Sequence, residues 1–131
     1  MSYIRTYPPQ VYNSDSSIFD GGIRFSDDFI KREHLQEYKS VWIYIDTAKN
    51  KIGIKFHQNY APQSIKLTPS GKETSSKIVW CAYLKKYPAV KIVMEDKDIK
   101  NRRFPVKKLG DTIDNGEIVE YEIDLSDYMS F

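Results

Sequence analysis

Side chains able to catalyse a reaction or hold a metal ion are few and scattered in this chain. The two histidines, His34 and His57, lack the spacing of metal ligands, and a single cysteine, Cys81, cannot build a zinc knuckle or an intramolecular disulfide. There is no glycine-rich phosphate loop and no nucleophile elbow. The sequence therefore predicts a protein that is not an enzyme and needs no cofactor. A catalytic pair of carboxylates that are distant in sequence and meet only in the fold cannot be recognised from residue spacing.

Basic residues are concentrated in one stretch, "KDIKNRRFPVKK" at 97–108, which holds six basic residues against one acid. The following residues, 109–131, contain seven acids and no lysine or arginine. Clustered cations neutralise phosphates and release counterions, so nucleic-acid binding through them weakens steeply with salt. The first candidate set of nucleic-acid-binding residues is Lys97, Lys100, Arg102, Arg103, Lys107 and Lys108, with Phe104 among them.

A second candidate set lies on the first predicted hairpin. Trp42 and Tyr44 alternate with apolar residues in "VWIYID", which places them on the non-core face of a strand. Lys49, Lys51 and Lys55 follow them. Proteins that bind single strands stack bases on aromatic side chains beside such cations. The alternative left open is a solvated basic loop that balances the acidic C-terminal strand, with the aromatic residues covered by helices.

These patterns favour a small non-enzymatic nucleic-acid-binding protein with a regulatory role, binding DNA in preference to RNA. The second hypothesis is a protein-interaction module or inhibitor, of phage or mobile-element origin, that acts on a host protein. It rests on the acidic residues near the C-terminus, which are Glu117, Glu120, Glu122, Asp124 and Asp127. Only a nucleic-acid binder should lose affinity when the basic stretch is neutralised.

Composition bears on the compartment and the partners. With 40% hydrophobic and 14% aromatic residues, the chain can fill a core without metals or disulfides. No run approaches the roughly 18 apolar residues of a membrane span, and "MSYIRTYPPQ" lacks the apolar core of a signal peptide. The sequence thus predicts a cytoplasmic protein with no membrane partner, as a monomer or a homodimer.

The chain contains an internal similarity between residues 22–46 and 71–95, which match at six of 25 positions without gaps. The similarity includes "LQEYKSVWIYID" and "LKKYPAVKIVME". One pair of repeats predicts a pseudo-twofold domain rather than a solenoid. The expected fold is α+β, mainly β: a compact pseudo-twofold sheet or barrel of two strand-helix-hairpin repeats with two short helices. Residues 1–131 form one domain, with a first unit at about 18–58, a second at about 63–127 and an N-terminal arm at 1–17.

In the first unit, "IRF" is predicted as a strand and Ser26 as the N-cap of a helix that ends near Tyr38. Two strands follow, joined by the turn "TAKN", in which Asn50 tolerates a left-handed backbone. The apolar residues of the returning strand face the core. In the arm, "YIRTY" is a candidate strand.

In the second unit, "SIKL" is predicted as a strand, and Ser75 or Ser76 as the cap of a helix from about Lys77 to Tyr87. Pro88 would end that helix, and "AVKIVM" would be the next strand. The "DNG" at 114–116 indicates a hairpin. Its second strand places four alternating residues inward, namely Val119, Tyr121, Ile123 and Leu125.

Residues 21–56, "GGIRFSDDFIKREHLQEYKSVWIYIDTAKNKIGIKF", resemble the swapped-hairpin domains of the AbrB, MazE and MraZ type. Gly21 stands at the family's glycine, Phe25-Ser26 at its Ile-Pro and Leu35 at its turn leucine. The hairpin positions match at Val41, Ile43, Ile45, Asp46, Ile52 and Ile54. The resemblance implies DNA binding, with basic residues of the first strand and loops on the DNA backbone. The chain departs from the family pattern at Gly22 and Ser26, and at Asp27 and Asp28, which add negative charge.

Overall fold

The computed structural model describes residues 15–19, 21–72, 74–98, 102–114 and 117–126. It describes only the main chain at 110–114 and 117–118. The protein is mainly β, as the sequence predicts. Its described elements are β1 (Ser16–Phe19), β2 (Gly22–Phe25), α1 (Asp27–Arg32), β3 (Ser40–Asp46), β4 (Lys51–His57), β5 (Ile65–Pro69), β6 (Lys77–Trp80), a 3-10 helix (Ala82–Lys86), α2 (Pro88–Met94), β7 (Arg103–Phe104), β8 (Lys107–Asp114) and β9 (Glu117–Asp124). None of the helices in these ranges is long and apolar enough to cross a membrane.

The nine strands form one antiparallel sheet in the order β7-β1-β2-β6-β5-β3-β4-β9-β8. Its two edge strands, β7 and β8, are joined by only Pro105 and Val106. Because a chain spans at most about 3.6 Å per residue, Phe104 and Lys107 lie no more than about 11 Å apart. The sheet must therefore curl until its edges approach each other, which produces a half-barrel.

The concave face of the sheet holds the core. Burial alternates along β4 and β9, where Ile52, Ile54 and Ile123 are fully buried. Phe29 of α1 stacks on Phe25 with ring centroids 5.7 Å apart, and α1 and α2 bury their apolar faces in the same cluster. The helices thus fill the curl rather than cover the outer surface.

The predictions for the first unit are largely confirmed. Ser26 is the N-cap of α1, and its hydroxyl accepts a hydrogen bond from the N–H of Phe29 at 3.2 Å. Asn50 has a φ of 55° in the β3–β4 turn. The helix is shorter than predicted and ends at Arg32, because His34 adopts a left-handed φ of 57°.

Two predictions for the second unit are wrong. Residues 77–80 form β6 rather than the start of a helix, and 88–94 form α2 rather than a strand. Proline is favoured at the first turn of a helix, and Pro88 begins α2 instead of ending one. The buried residues of α2, at 89, 90, 93 and 94, follow a helical period rather than an alternation. The aligned segments 41–45 and 90–94 thus fold differently, and the pseudo-twofold repeat is not confirmed.

The hairpin at the end of the chain is confirmed by the antiparallel pairing of β8 with β9. Tyr121, Ile123 and Leu125 lie in the core, as predicted. Pro105 lies in the link between the two edge strands, a place suited to a residue that has no N–H to donate to a ladder. The predicted strand "YIRTY" lies outside the described residues.

Asp15, directly before β1, contacts both α1 and the two-residue link between the edge strands. One of its carboxylate oxygens, Oδ2, accepts hydrogen bonds from Arg32 of α1 at 2.8 Å and from the N–H of Val106 at 3.2 Å. Its main-chain carbonyl accepts from the N–H of Ser26 at 2.9 Å. The residue is only 3% exposed. This one buried carboxylate therefore accepts hydrogen bonds both from the main chain of the link between β7 and β8 and from the cation of α1.

Asp15→Ala should lower the free energy of unfolding by about 3 kcal/mol, because it removes the carboxylate paired with Arg32 and takes away the acceptor of the buried Val106 N–H. Asp15→Asn, which keeps an acceptor, should cost less. Urea denaturation measures both, with Asp28→Ala at the exposed start of α1 as the control. Equal stability of Asp15→Ala and the parent protein would contradict this role.

Gly53 of β4 marks a close approach on the convex face. Its neighbours Ile52 and Ile54 point inward, so a side chain at position 53 would point outward. A Cβ there would lie 2.8 Å from Cγ1 of Val119 and 3.5 Å from Cβ of Tyr44. Val119, predicted to point into the core, is buried but lies against Gly53 and outside the main core cluster.

Gly53→Ala should lower stability by about 1–3 kcal/mol, since the branched side chain of Val119 has few rotamers with which to give way. Val119→Ala in the same protein should recover part of that loss. The double-mutant cycle, measured by urea denaturation, gives the coupling. Additive effects of the two substitutions would show that this contact is not the cause.

Candidate nucleic-acid interface

The lysines predicted on the first hairpin face acids of the neighbouring strand. Nζ of Lys51 lies 3.2 Å from Glu122, and Nζ of Lys55 lies 3.7 Å from Glu120. The hydrogen bond to Glu122 raises the pKa of Lys51. Lys49 is exposed in the β3–β4 turn. Two of the three predicted cations are therefore already neutralised by β9.

Trp42 and Tyr44 lie on the convex face of β3, opposite Lys55 and Gly53 of β4. Nε1 of Trp42 donates to the carbonyl of Pro62 at 2.9 Å, and its ring packs edge-on against His57, with centroids 4.3 Å apart. Both aromatic residues are only partly exposed. Trp42 thus fixes the loop that follows β4, which limits its use as a stacking surface.

The basic stretch is divided by the fold. Arg103 lies on the edge strand β7, and Lys107 and Lys108 on the opposite edge strand β8. Arg102 is partly buried and donates to the carbonyl of Asp96, and Nζ of Lys108 lies 3.5 Å from Glu33. Lys97, Arg103 and Lys107 are exposed. Lys100 lies outside the described residues.

A different part of the sheet is free of acidic residues. We call the strands β7, β1, β2, β6 and β5 the basic half-sheet, because they are adjacent and contain Arg103, Arg24, Lys77 and Lys66 but no aspartate or glutamate. The other strands, β3, β4, β9 and β8, carry Asp46, Glu120, Glu122 and Asp124 among their acids. The acids of these strands are thus absent from the basic half-sheet, whereas the four acid-bearing strands also carry Lys51, Lys55, Lys107 and Lys108.

Two arginines share the convex face of the basic half-sheet. Ser17 of β1 is paired with Arg103 on one side and with Arg24 on the other. Directly paired residues lie on the same face, and two strand spacings place the two arginine Cα atoms about 10 Å apart. Both side chains are exposed. Lys66 joins this face, because it precedes the inward-facing Leu67 on β5 and is exposed.

Trp80 lies on the same face, one row along. It is paired with Gly22, which is paired with Phe19. The rings of Trp80 and Phe19 meet edge-to-face across the glycine, with centroids 5.2 Å apart. Trp80 remains 54% exposed, whereas tryptophan side chains are highly buried on average.

The two glycines before Ile23 make this arrangement possible. Gly21 has a φ of +101°, a conformation in which an L side chain is strained. At Gly22, a Cβ would overlap the carbonyl oxygen of Val79 on β6. The glycine pair therefore allows β2 to approach β6 and leaves room for the ring of Phe19.

Sequence reasoning missed Phe19, Arg24, Lys66 and Trp80. Arg24 stands between two inward-facing residues in "GIRF", an alternation that indicates an outward side chain. The exposed position of Trp80 on the sheet could not be predicted, because residues 77–87 were predicted as one helix and a helix has no strand pairing with Gly22. No described group of three or more His, Cys, Asp or Glu is arranged to hold a metal ion.

Comparisons with family models, with curated proteins and with solved structures returned no match for this chain. The geometry of the described residues is therefore the basis for assigning a function.

His57 makes the stability of the β3–β4 region depend on pH. Partial burial, and then the charge of Lys55, lower the pKa of His57 from 6.5. The unfolded chain therefore takes up a proton more readily than the folded one as the pH falls below about 6.5. Folding stability is fully present above that pH and decreases as the pH falls through it.

His57→Gln should flatten the loss of unfolding free energy between neutral and mildly acidic pH. Urea denaturation at a series of pH values measures it. His34→Asn, in the exposed turn after α1, controls for the loss of a histidine as such. An unchanged pH profile in His57→Gln would contradict the assignment.

Proposed function

We propose that the protein is a non-enzymatic binder of single-stranded nucleic acid, and that it binds through the convex face of the basic half-sheet. The observation that carries the proposal is the combination on one surface of Arg24, Arg103 and Lys66 with the exposed Trp80, on five strands free of acids. The arginines and Lys66 contact phosphates, and Trp80 stacks on an unpaired base.

The preference for a single strand follows from Trp80. Stacking on an aromatic side chain requires a base whose face is exposed, and each stacked base contributes about 1–3 kcal/mol. The edge-to-face contact with Phe19 limits the motion of the ring, so less conformational entropy is lost on stacking. A duplex offers no such base face along its length.

The resemblance to swapped-hairpin DNA-binding domains supports the same strand. In those domains the basic residues of the first strand contact the DNA backbone, and the matching strand here is β2, which carries Arg24. Asp27 and Asp28 follow at the start of α1 and would repel phosphates there. The nucleic acid should therefore contact the sheet surface rather than α1.

The test is fluorescence anisotropy with a labelled oligo-dT strand and a duplex of equal length, at several salt concentrations. The Arg24→Ala/Arg103→Ala protein should bind the single strand about tenfold more weakly or worse, as expected for two lost phosphate contacts. Its salt slope should flatten by about 1.4, at roughly 0.7 per phosphate contact. Trp80→Ala should weaken binding without changing the slope.

The matched control is Lys51→Ala/Lys55→Ala, which removes the same net charge from the half of the sheet where both cations are ion-paired. It should bind nearly as the parent protein does. Equal losses in the two double variants would show that only net charge matters. Absence of binding to either probe at low salt would overturn the proposal.

The alternative of an inhibitor that presents its acidic face to a host protein has less support. Glu120 and Glu122 are engaged with Lys55 and Lys51, and Glu120 also accepts a hydrogen bond from the N–H of Phe56 at 3.1 Å. These carboxylates have structural partners within the sheet.

A further inference from the structure

Ser17 lies between the two exposed arginines of the basic half-sheet. It is paired with Arg24 of β2 on one side and with Arg103 of β7 on the other. Because its neighbour Ser16 is buried, the side chain of Ser17 points to the convex face. A short hydroxyl side chain thus stands between two long cationic ones. This difference in length leaves space over Ser17 into which both guanidinium groups can reach.

The arginines that the structure describes are four, and they divide into two kinds. Arg32 and Arg102 bind acceptors within the protein. Arg24 and Arg103 form no ion pair and no side-chain hydrogen bond with any residue that the structure describes. The two arginines without a described partner are therefore the two that flank Ser17.

The surroundings of this pair do not neutralise it. The five strands of the basic half-sheet contain no acid, and the carboxylate of Asp15, two residues before Ser17, is buried and paired with Arg32. Residues 1–14, which precede it and lie outside the described residues, contain no aspartate or glutamate. Two like charges about 10 Å apart, with no carboxylate on the strands around them, attract an anion.

The number of cations indicates which kind of phosphate fits between them. A phosphodiester within a strand carries one negative charge and is balanced by one arginine. A terminal phosphate monoester carries about −1.5 to −2 at pH 7 and presents three acceptor oxygens. Each guanidinium can donate two parallel hydrogen bonds to such oxygens, and the hydroxyl of Ser17 can donate another. Two arginines and a serine therefore match a terminal phosphate in both charge and donors.

We propose that the protein recognises the phosphorylated end of a single strand, with the terminal phosphate held over Ser17 by Arg24 and Arg103. This inference rests on the proposed function, because it uses the same face of the basic half-sheet. On a strand that ends in hydroxyls, the two arginines contact separate internal phosphates, so binding is retained but is weaker.

Trp80 lies within reach of the first bases of such a strand. It is paired with Gly22, which lies two residues from Arg24 along β2, and β6 is two strand spacings from β1. The Cα atoms of Ser17 and Trp80 are therefore about 12 Å apart. The register of β5 with β6 places Lys66 directly beyond Trp80. A strand that begins over Ser17 thus crosses the sheet past Trp80 and brings an internal phosphate to Lys66.

The test is a competition experiment in which unlabelled strands displace a labelled oligo-dT from the full-length protein, followed by fluorescence anisotropy. Three competitors have equal length and carry a 5′-phosphate, a 3′-phosphate or hydroxyls at both ends. A fourth ends in hydroxyls and is longer by one nucleotide, so that it has as many phosphates as the phosphorylated strands. One of the phosphorylated strands should bind about tenfold more tightly than both hydroxyl-ended strands, as expected for an additional charge-assisted hydrogen bond.

Three variants locate the terminal phosphate. Arg24→Lys keeps the positive charge but loses the planar fork, and Ser17→Ala removes the hydroxyl. Each should reduce the preference for the phosphorylated strand by about threefold or more. Lys66→Ala is the matched control on the same face: it should weaken the binding of every strand by a similar factor and leave the preference unchanged. Circular dichroism and urea melts establish that the variants fold.

Equal binding of the phosphorylated and the hydroxyl-ended strands would overturn this inference and leave the proposed function standing. A preference that persists unchanged in both Arg24→Lys and Ser17→Ala would also overturn it, since the terminal phosphate would then lie elsewhere. Absence of binding to all four strands at low salt would overturn the proposed function as well.

Discussion

The short link from β7 to β8 is the constraint on which the rest of the structure depends. Two residues must join opposite edges of a nine-stranded sheet, so the sheet has to curl and the core has to lie inside the curl. Curling leaves a main-chain N–H buried at Val106, and Asp15 accepts from it. The same carboxylate pairs with Arg32, so it joins α1 to the link between the two edge strands.

The local features of the first unit could be predicted from sequence because short-range physics decides them. Ser26 caps α1 with its own hydroxyl, and Asn50 accommodates a left-handed turn. The alternation of β4 and β9 is equally clear, since one face is buried along the whole strand. These signals do not depend on which element lies opposite.

The second unit could not be predicted in this way, because its elements are decided by distant partners. "KIVW" becomes a strand because Ile23 and Val79 pair across the sheet. "PAVKIVM" is apolar at positions compatible with either a helix or a buried strand, and the cluster inside the curl selects the helix. The similarity of the two segments in sequence therefore does not extend to their secondary structure.

The candidate site illustrates the same limit. A count of lysines and arginines identifies the stretch 97–108, yet the fold gives Lys108 and Arg102 structural partners and separates Arg103 from Lys107. The surface that combines exposed cations with an exposed aromatic is assembled from five strands, with Arg24 and Arg103 far apart in the chain. Which cations are neutralised depends on cross-strand neighbours, and no sequence window contains that information.

The contact between Asp15 and Val106 also has a consequence for how the protein is made. These residues are 91 positions apart, so the contact cannot form until most of the chain has left the ribosome. Until then β1 has no β7 beside it and β4 has no β9, and both present unpaired edges. Nascent chains with such edges are prone to aggregate. We expect the late arrival of β7 to β9 to make this protein sensitive to translation speed and to chaperone supply.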